Sequence, residues 1–127
     1  MAGELTGKKI LVVDDDRDIR SAIEIALREF DPEIITVGDG NQAVQRAEAD
    51  NPDLIILDMM LPKRSGFLVL ERLKRDKAKG DPPLVIMITG NLGNRHKMYA
   101  EQLGVDRYIR KPFRMEALMQ EVVELLS

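Results

Sequence analysis

The chain has no cysteine, no tryptophan and a single histidine, His96, among 127 residues. Disulfides, thiolate catalysis and zinc–thiolate centres are therefore excluded, and so is a multi-histidine metal site. Aromatic residues make up only 4% of the chain, which leaves little to stack a flavin. No apolar run approaches the roughly 20 residues of a membrane span. The opening stretch "MAGELTGKKI" lacks the apolar core of a signal peptide. The expectation is a cytoplasmic protein with no membrane contact. A strong charge of either sign is also missing: 19 Lys+Arg stand against 22 Asp+Glu, a net charge of −3. That balance argues against direct nucleic-acid binding, which needs a clustered basic face. It excludes no protein partner.

What is present is globular. The apolar fraction of 44% and the length suit one domain with a real core, expected over 1–127 with its ordered part at about 8–126 and no output domain. "KKILVV" (8–13), "EIITV" (33–37), "LIIL" (54–57), "LVIMI" (84–88) and the shorter "RYI" (107–109) read as strands. Unbroken β-branched runs of this kind suit strands covered on both faces. Helical spacing appears between them. Ile19, Ile23, Ala26, Leu27 and Phe30 share one face; Asn41 is a candidate cap for a helix carrying Ala43, Val44 and Ala47. Phe67, Leu70 and Leu73 mark a third helix. Tyr99 and Leu103 mark a fourth, closed by Gly104. A fifth carries Met115, Leu118, Met119, Val122 and Leu126. Strands recurring every 20–30 residues or so with a helix between predict a parallel sheet in a three-layer (βα)5 α/β sandwich.

Polar residues follow the apolar runs. Asp14, Asp15 and Asp16 follow the first strand, Asp58 the third, Thr89 the fourth and Lys111 the fifth. In an open parallel sheet these carboxyl ends share one edge, where ligands bind. Two carboxylates about 4 Å apart repel by about 4 kcal/mol at an effective dielectric near 20. A divalent cation would relieve that repulsion, and an all-oxygen donor set favours Mg²⁺, with Mn²⁺ as a substitute. Mg²⁺ keeps waters and leaves room for a phosphate oxygen. With the Lys111 charge and the Thr89 hydroxyl, the set reads as a phosphoryl site with Asp58 as a carboxylate nucleophile.

"ILVVDDD", "LIILDMMLPKRSG", "VIMITG" and "GVDRYIRKPF" together resemble the successive signatures of the receiver domain of two-component response regulators, over roughly residues 8–126. The resemblance implies a flavodoxin-like sheet of order 2-1-3-4-5. It implies that Asp58 accepts a phosphoryl group from a histidine kinase or histidine phosphotransfer protein. Asp15 and Asp14 would bind Mg²⁺ together with Asp58 and the backbone carbonyl of Met60. Thr89 and Lys111 would contact the phosphoryl oxygens, and Tyr108 would be the aromatic switch. The peptide before Pro112 would be cis. A downstream protein, or a second copy in a phosphorylation-dependent dimer, would read the face formed by the fourth helix, fifth strand and fifth helix. Enzymatic activity would be limited to self-phosphorylation and self-dephosphorylation.

Plainer readings stand beside these. Asp14 and Asp15 could cap the first helix, the role left to Asp16 and Asp18. Thr89 could be an ordinary strand residue and Tyr108 an ordinary core aromatic. His96 reads as a solvent-facing helix residue, and Met59 and Met60 as rim packing. Met60 and Asn91 occupy positions that flank the phosphoryl group in receivers, and Gly90 replaces a more usual alanine. Arg107 and Glu121 reverse the charge pattern of winged-helix DNA-binding receivers, which puts that dimer mode in question. A haloacid-dehalogenase-type phosphohydrolase would want a second aspartate where Met60 stands. A flavodoxin-like redox protein would not place "DDDRD" against a phosphate. A receiver-like module that binds partners without phosphorylation is a further alternative.

Overall fold

The computed structural model describes residues 3–90 and 93–127. In chain order the elements are β1 (Lys9–Val13), α1 (Arg17–Arg28), β2 (Glu33–Val37), α2 (Gly40–Asp50), β3 (Leu54–Asp58), α3 (Gly66–Leu73), β4 (Leu84–Thr89), α4 (Asn94–Gln102), β5 (Arg107–Arg110) and α5 (Met115–Leu126). The strands form one sheet of order β2-β1-β3-β4-β5, with every neighbouring pair parallel. The chain order reverses between β1 and β3, and there a crevice opens at the carboxyl ends of the strands.

Alternation along each strand explains the unbroken apolar runs. Leu11, Val13, Ile55, Leu57, Val85 and Met87 face one side and pack with residues of α2, α3 and α4. Ile10, Val12, Leu54, Ile56, Ile86 and Ile88 face the other, against Ile23 and Leu27 of α1 and Leu118 and Val122 of α5. Neither face of β1, β3 or β4 meets water, so neither needs polar residues.

Local chemistry sets the helix ends. Asp16 caps α1, its carboxylate accepting from the backbone N–H of Asp18 and Ile19. The cap of α2 is Asp39, not Asn41: Asp39 has extended backbone and accepts from the Gln42 N–H at 2.8 Å. Asn41 lies inside the first turn, where a capping side chain has no role. Phe30 falls beyond the end of α1, yet it still packs on the α1–α5 core. Gly104 follows α4 with φ +94, the left-handed conformation that glycine adopts most readily.

Two features carry no periodic signal. Leu5 is buried, and its N–H donates to the Phe30 carbonyl at 2.9 Å. Lys74 and Asp106 form a buried ion pair at 2.9 Å, their side chains 0% and 2% exposed. The Asp106 carboxylate also accepts from the Gly80 and Val85 N–H groups, and the Lys74 ammonium donates to the Asp81 carbonyl. The network ties the end of α3 to the polar 77–83 loop and the start of β5.

Candidate phosphoryl and metal site

Register places the site. Val13 pairs with Leu57 across β1 and β3, so Asp14 and Asp58 follow adjacent positions of one rung. Asp58 pairs with Ile88 and Thr89 with Arg110, which brings β4 and the start of the β5–α5 loop to the same edge. Lys111 is anchored there by its N–H, which donates to the Thr89 carbonyl at 2.7 Å. The Lys111–Pro112 peptide is cis, as is Pro82–Pro83.

Asp14, Asp15 and Asp58 each offer a carboxylate oxygen, and the three oxygens lie within 4.8 Å of one another. Asp14 and Asp58 are buried; Asp15 is exposed. The Lys111 ammonium sits 3.6 Å from Asp14 Oδ2 and 3.7 Å from Asp58 Oδ1. One cation is therefore shared by two buried acids, with a third acid beside them. The result shows in their acidity. Burial, and next the Asp14 charge, push the Asp58 carboxyl up to about 6, although Lys111 pulls the other way. Burial also raises Asp14, partly offset by the Asp16 N–H, which donates to it. The oxygen-only cluster and its uncompensated negative charge suit a hard divalent cation.

The surrounding backbone is tightly determined. The Met60 N–H donates to Asp58 Oδ1 at 3.3 Å, while the Met60 side chain is 69% exposed. The chain then turns back, so that the Gly66 N–H meets the Met59 carbonyl at 2.9 Å. A Cβ on Gly66 would overlap the Asp58 carbonyl oxygen, so only glycine allows α3 to start this close to the nucleophile candidate. Arg20 was not singled out from the sequence; its guanidinium donates to the Asp14 carbonyl at 2.6 Å. No sequence signal distinguishes it from the other exposed-looking charges of α1.

Thr89 is fully buried, and its hydroxyl contacts the Met59 sulfur at 3.5 Å. Tyr108 packs inward against the α2–α3–α4 core. Its hydroxyl is buried with no hydrogen-bond partner among the described residues. His96 is exposed and stacks on Phe67 at 5.8 Å; Tyr99 meets the same ring edge-on at 5.1 Å. Arg107 pairs within the chain with Glu121 at 2.7 Å, so the reversed charges bridge β5 and α5. Asn91 lies outside the described residues.

A five-stranded doubly wound sheet of this order, with three carboxylates and a lysine at its carboxyl edge, defines a CheY-like module. Comparison with known proteins gives the family. The family model "Response regulator receiver domain" matches residues 10–123. The chain is 39% identical over 106 residues to the alkaline phosphatase synthesis transcriptional regulatory protein PhoP of Bacillus subtilis, covering 84% of this chain and 43% of that one. It is 38% identical over 122 residues to the phosphate regulon transcriptional regulatory protein PhoB of Pseudomonas aeruginosa, covering 96% and 53%. Among solved structures, the signal receiver domain of a LuxO repressor protein from Vibrio parahaemolyticus superposes with a TM-score of 0.86 at 27% identity, over 94% of this chain and 89% of that one. The chain belongs to the response regulator receiver family. It spans about half the length of the curated relatives it matches. Among the described residues no helix is long and apolar enough to cross a membrane.

Proposed function

We propose that Asp58 is the phosphoacceptor of this receiver and that a histidine kinase or histidine phosphotransfer protein is the donor. The observation that carries the proposal is the Lys111 ammonium held between the buried carboxylates of Asp14 and Asp58. A carboxylate oxygen of Asp58 attacks phosphorus; the P–N bond to the donor imidazole breaks, and an acyl phosphate forms. Lys111 is placed to neutralise the charge carried by the transferred group, and the buried Thr89 hydroxyl lies at the same strand edge. Asp14, Asp15, Asp58 and the Met60 carbonyl would hold Mg²⁺, or Mn²⁺ in its place. When bound, the cation supplies charge neutralisation to the phosphoryl oxygens. Among the described residues Met60 offers no carboxylate at the position where a turnover phosphohydrolase would keep its acid–base group.

The readout proposed is the face of α4, β5 and α5. Tyr108 would link this face to the site: it pairs with Met87, two residues before Thr89 on β4, and stands three residues before Lys111. A downstream protein would bind there, and so would a second copy in a phosphorylation-dependent dimer; Arg107 and Glu121 would keep or exchange their pairing. Direct nucleic-acid contact forms no part of the proposal. The protein would act in the cytoplasm, and its catalysis would be confined to its own phosphorylation and dephosphorylation.

The test is intact mass after incubation with phosphoramidate and Mg²⁺. Wild type gains one phosphoryl group and Asp58→Asn gains none. Equal labelling of the Asn variant overturns the assignment.

A further inference from the structure

A groove of about 860 Å³ runs along the seam between α1 and α5. Ala22, Ile25 and Ala26 of α1 and Met119 and Val123 of α5 form its apolar wall. Ile25 is 62% exposed, an isoleucine turned away from the core beneath it. Glutamates line this wall, and no lysine or arginine does so among the described residues. Glu124 Oε1 lies 3.8 Å from the Arg107 guanidinium, so the acidic character of the rim rests on the exposed Glu29 and Glu116. None of Asp14, Asp15, Asp58 or Lys111 reaches it.

The shape and the charge select an occupant. A groove between two helices accepts the ridge of a third, and an apolar wall takes side chains at i, i+3, i+4 and i+7. α5 has 12 residues, about 18 Å at 1.5 Å per residue, so about three turns of a partner helix fit alongside it. An acidic rim attracts cations flanking that apolar ridge. It disfavours a second copy of this chain, because an isologous contact sets one acidic rim against the other. We propose that the α1–α5 groove docks an amphipathic helix of a partner protein whose apolar ridge is flanked by lysine and arginine. Docking here leaves the phosphoryl edge open.

The experiment uses the full chain, ¹⁵N-labelled, with two synthetic three-turn amphipathic peptides that share a leucine ridge. One carries lysine flanks and the other glutamate flanks. The lysine peptide is expected to shift the amides of Ala22, Ile25, Ala26, Met119 and Val123, and to bind about tenfold or more tighter than the glutamate peptide. Glu29→Lys/Glu116→Lys, at two exposed positions, should invert that preference. Ile25→Ser should weaken both peptides, and unchanged signals from the sheet would verify its fold. Shifts confined to the Asp14–Asp15–Asp58 region, no binding, or a preference that the charge reversal leaves unchanged would each overturn the proposal. So would concentration-dependent dimerisation of the chain that Ile25→Ser abolishes.

Discussion

Asp58 shows how far a single residue can be read. Its place after an apolar strand, with acids and a lysine at the other strand ends, was legible in the sequence. Its raised pKa was not, because that depends on burial and on the closeness of Asp14. The sign of the resulting pH dependence follows. An acid raised in the folded state favours folding below its unfolded pKa, near 3.8, and loses that contribution as pH rises through about 6. In metal-free protein, Asp58→Asn should therefore be more stable than wild type at pH 7.5, by roughly 1–3 kcal/mol. The difference should shrink steadily from pH 6 to pH 4 in denaturant titrations. A variant less stable than wild type at pH 7.5 would contradict the charge account. Tyr108 makes a second case. Its buried hydroxyl has no hydrogen-bond partner among the described residues, so Tyr108→Phe removes a desolvation cost and should stabilise this arrangement by about 1 kcal/mol. A loss of similar size would mean that the hydroxyl is satisfied in solution.

At the scale of elements, the strands were the most legible, because a parallel sheet buried on both faces leaves an unbroken apolar signature. Helix ends were less so. Asp39 and Asn41 are both capping residues by type, and only the backbone path chose Asp39. The Lys74–Asp106 pair was invisible, since it joins residues 32 apart in sequence and neither is unusual alone. Leu5 was hidden for the same reason: a lone apolar residue between glycines has no period. The pair itself gives a prediction. Lys74→Met leaves a buried carboxylate without its cation and should destabilise by roughly 3–5 kcal/mol. Adding Asp106→Asn should recover part of that loss, giving a non-additive cycle in thermal or urea unfolding. Additive losses would show that the two charges act independently.

For the whole molecule, the sheet's switch point brings acids from β1 and β3 into one crevice, and the fold bears their repulsion when no cation is bound. Mg²⁺ at millimolar concentration should raise the thermal midpoint, because a ligand that binds only the folded state stabilises it by mass action. Asp15→Asn should blunt that rise, while the metal-free midpoint stays close to that of wild type, since Asp15 is exposed. The crevice, the cores and the interhelical groove were unequally legible. The crevice could be inferred once the strands were placed. The α1–α5 groove needed the actual packing of the two helices, because a wide apolar stripe on α5 does not say which part stays open.

The central claim is that Asp58 carries the phosphoryl group. It is tested most directly by trapping the phosphorylated wild-type protein with borohydride and sequencing its peptides by mass spectrometry. Reduction of an aspartyl phosphate yields homoserine, and the account predicts homoserine at position 58 and at no other aspartate. Homoserine at Asp14 or Asp15, or none in protein whose intact mass shows a phosphoryl group, would contradict it.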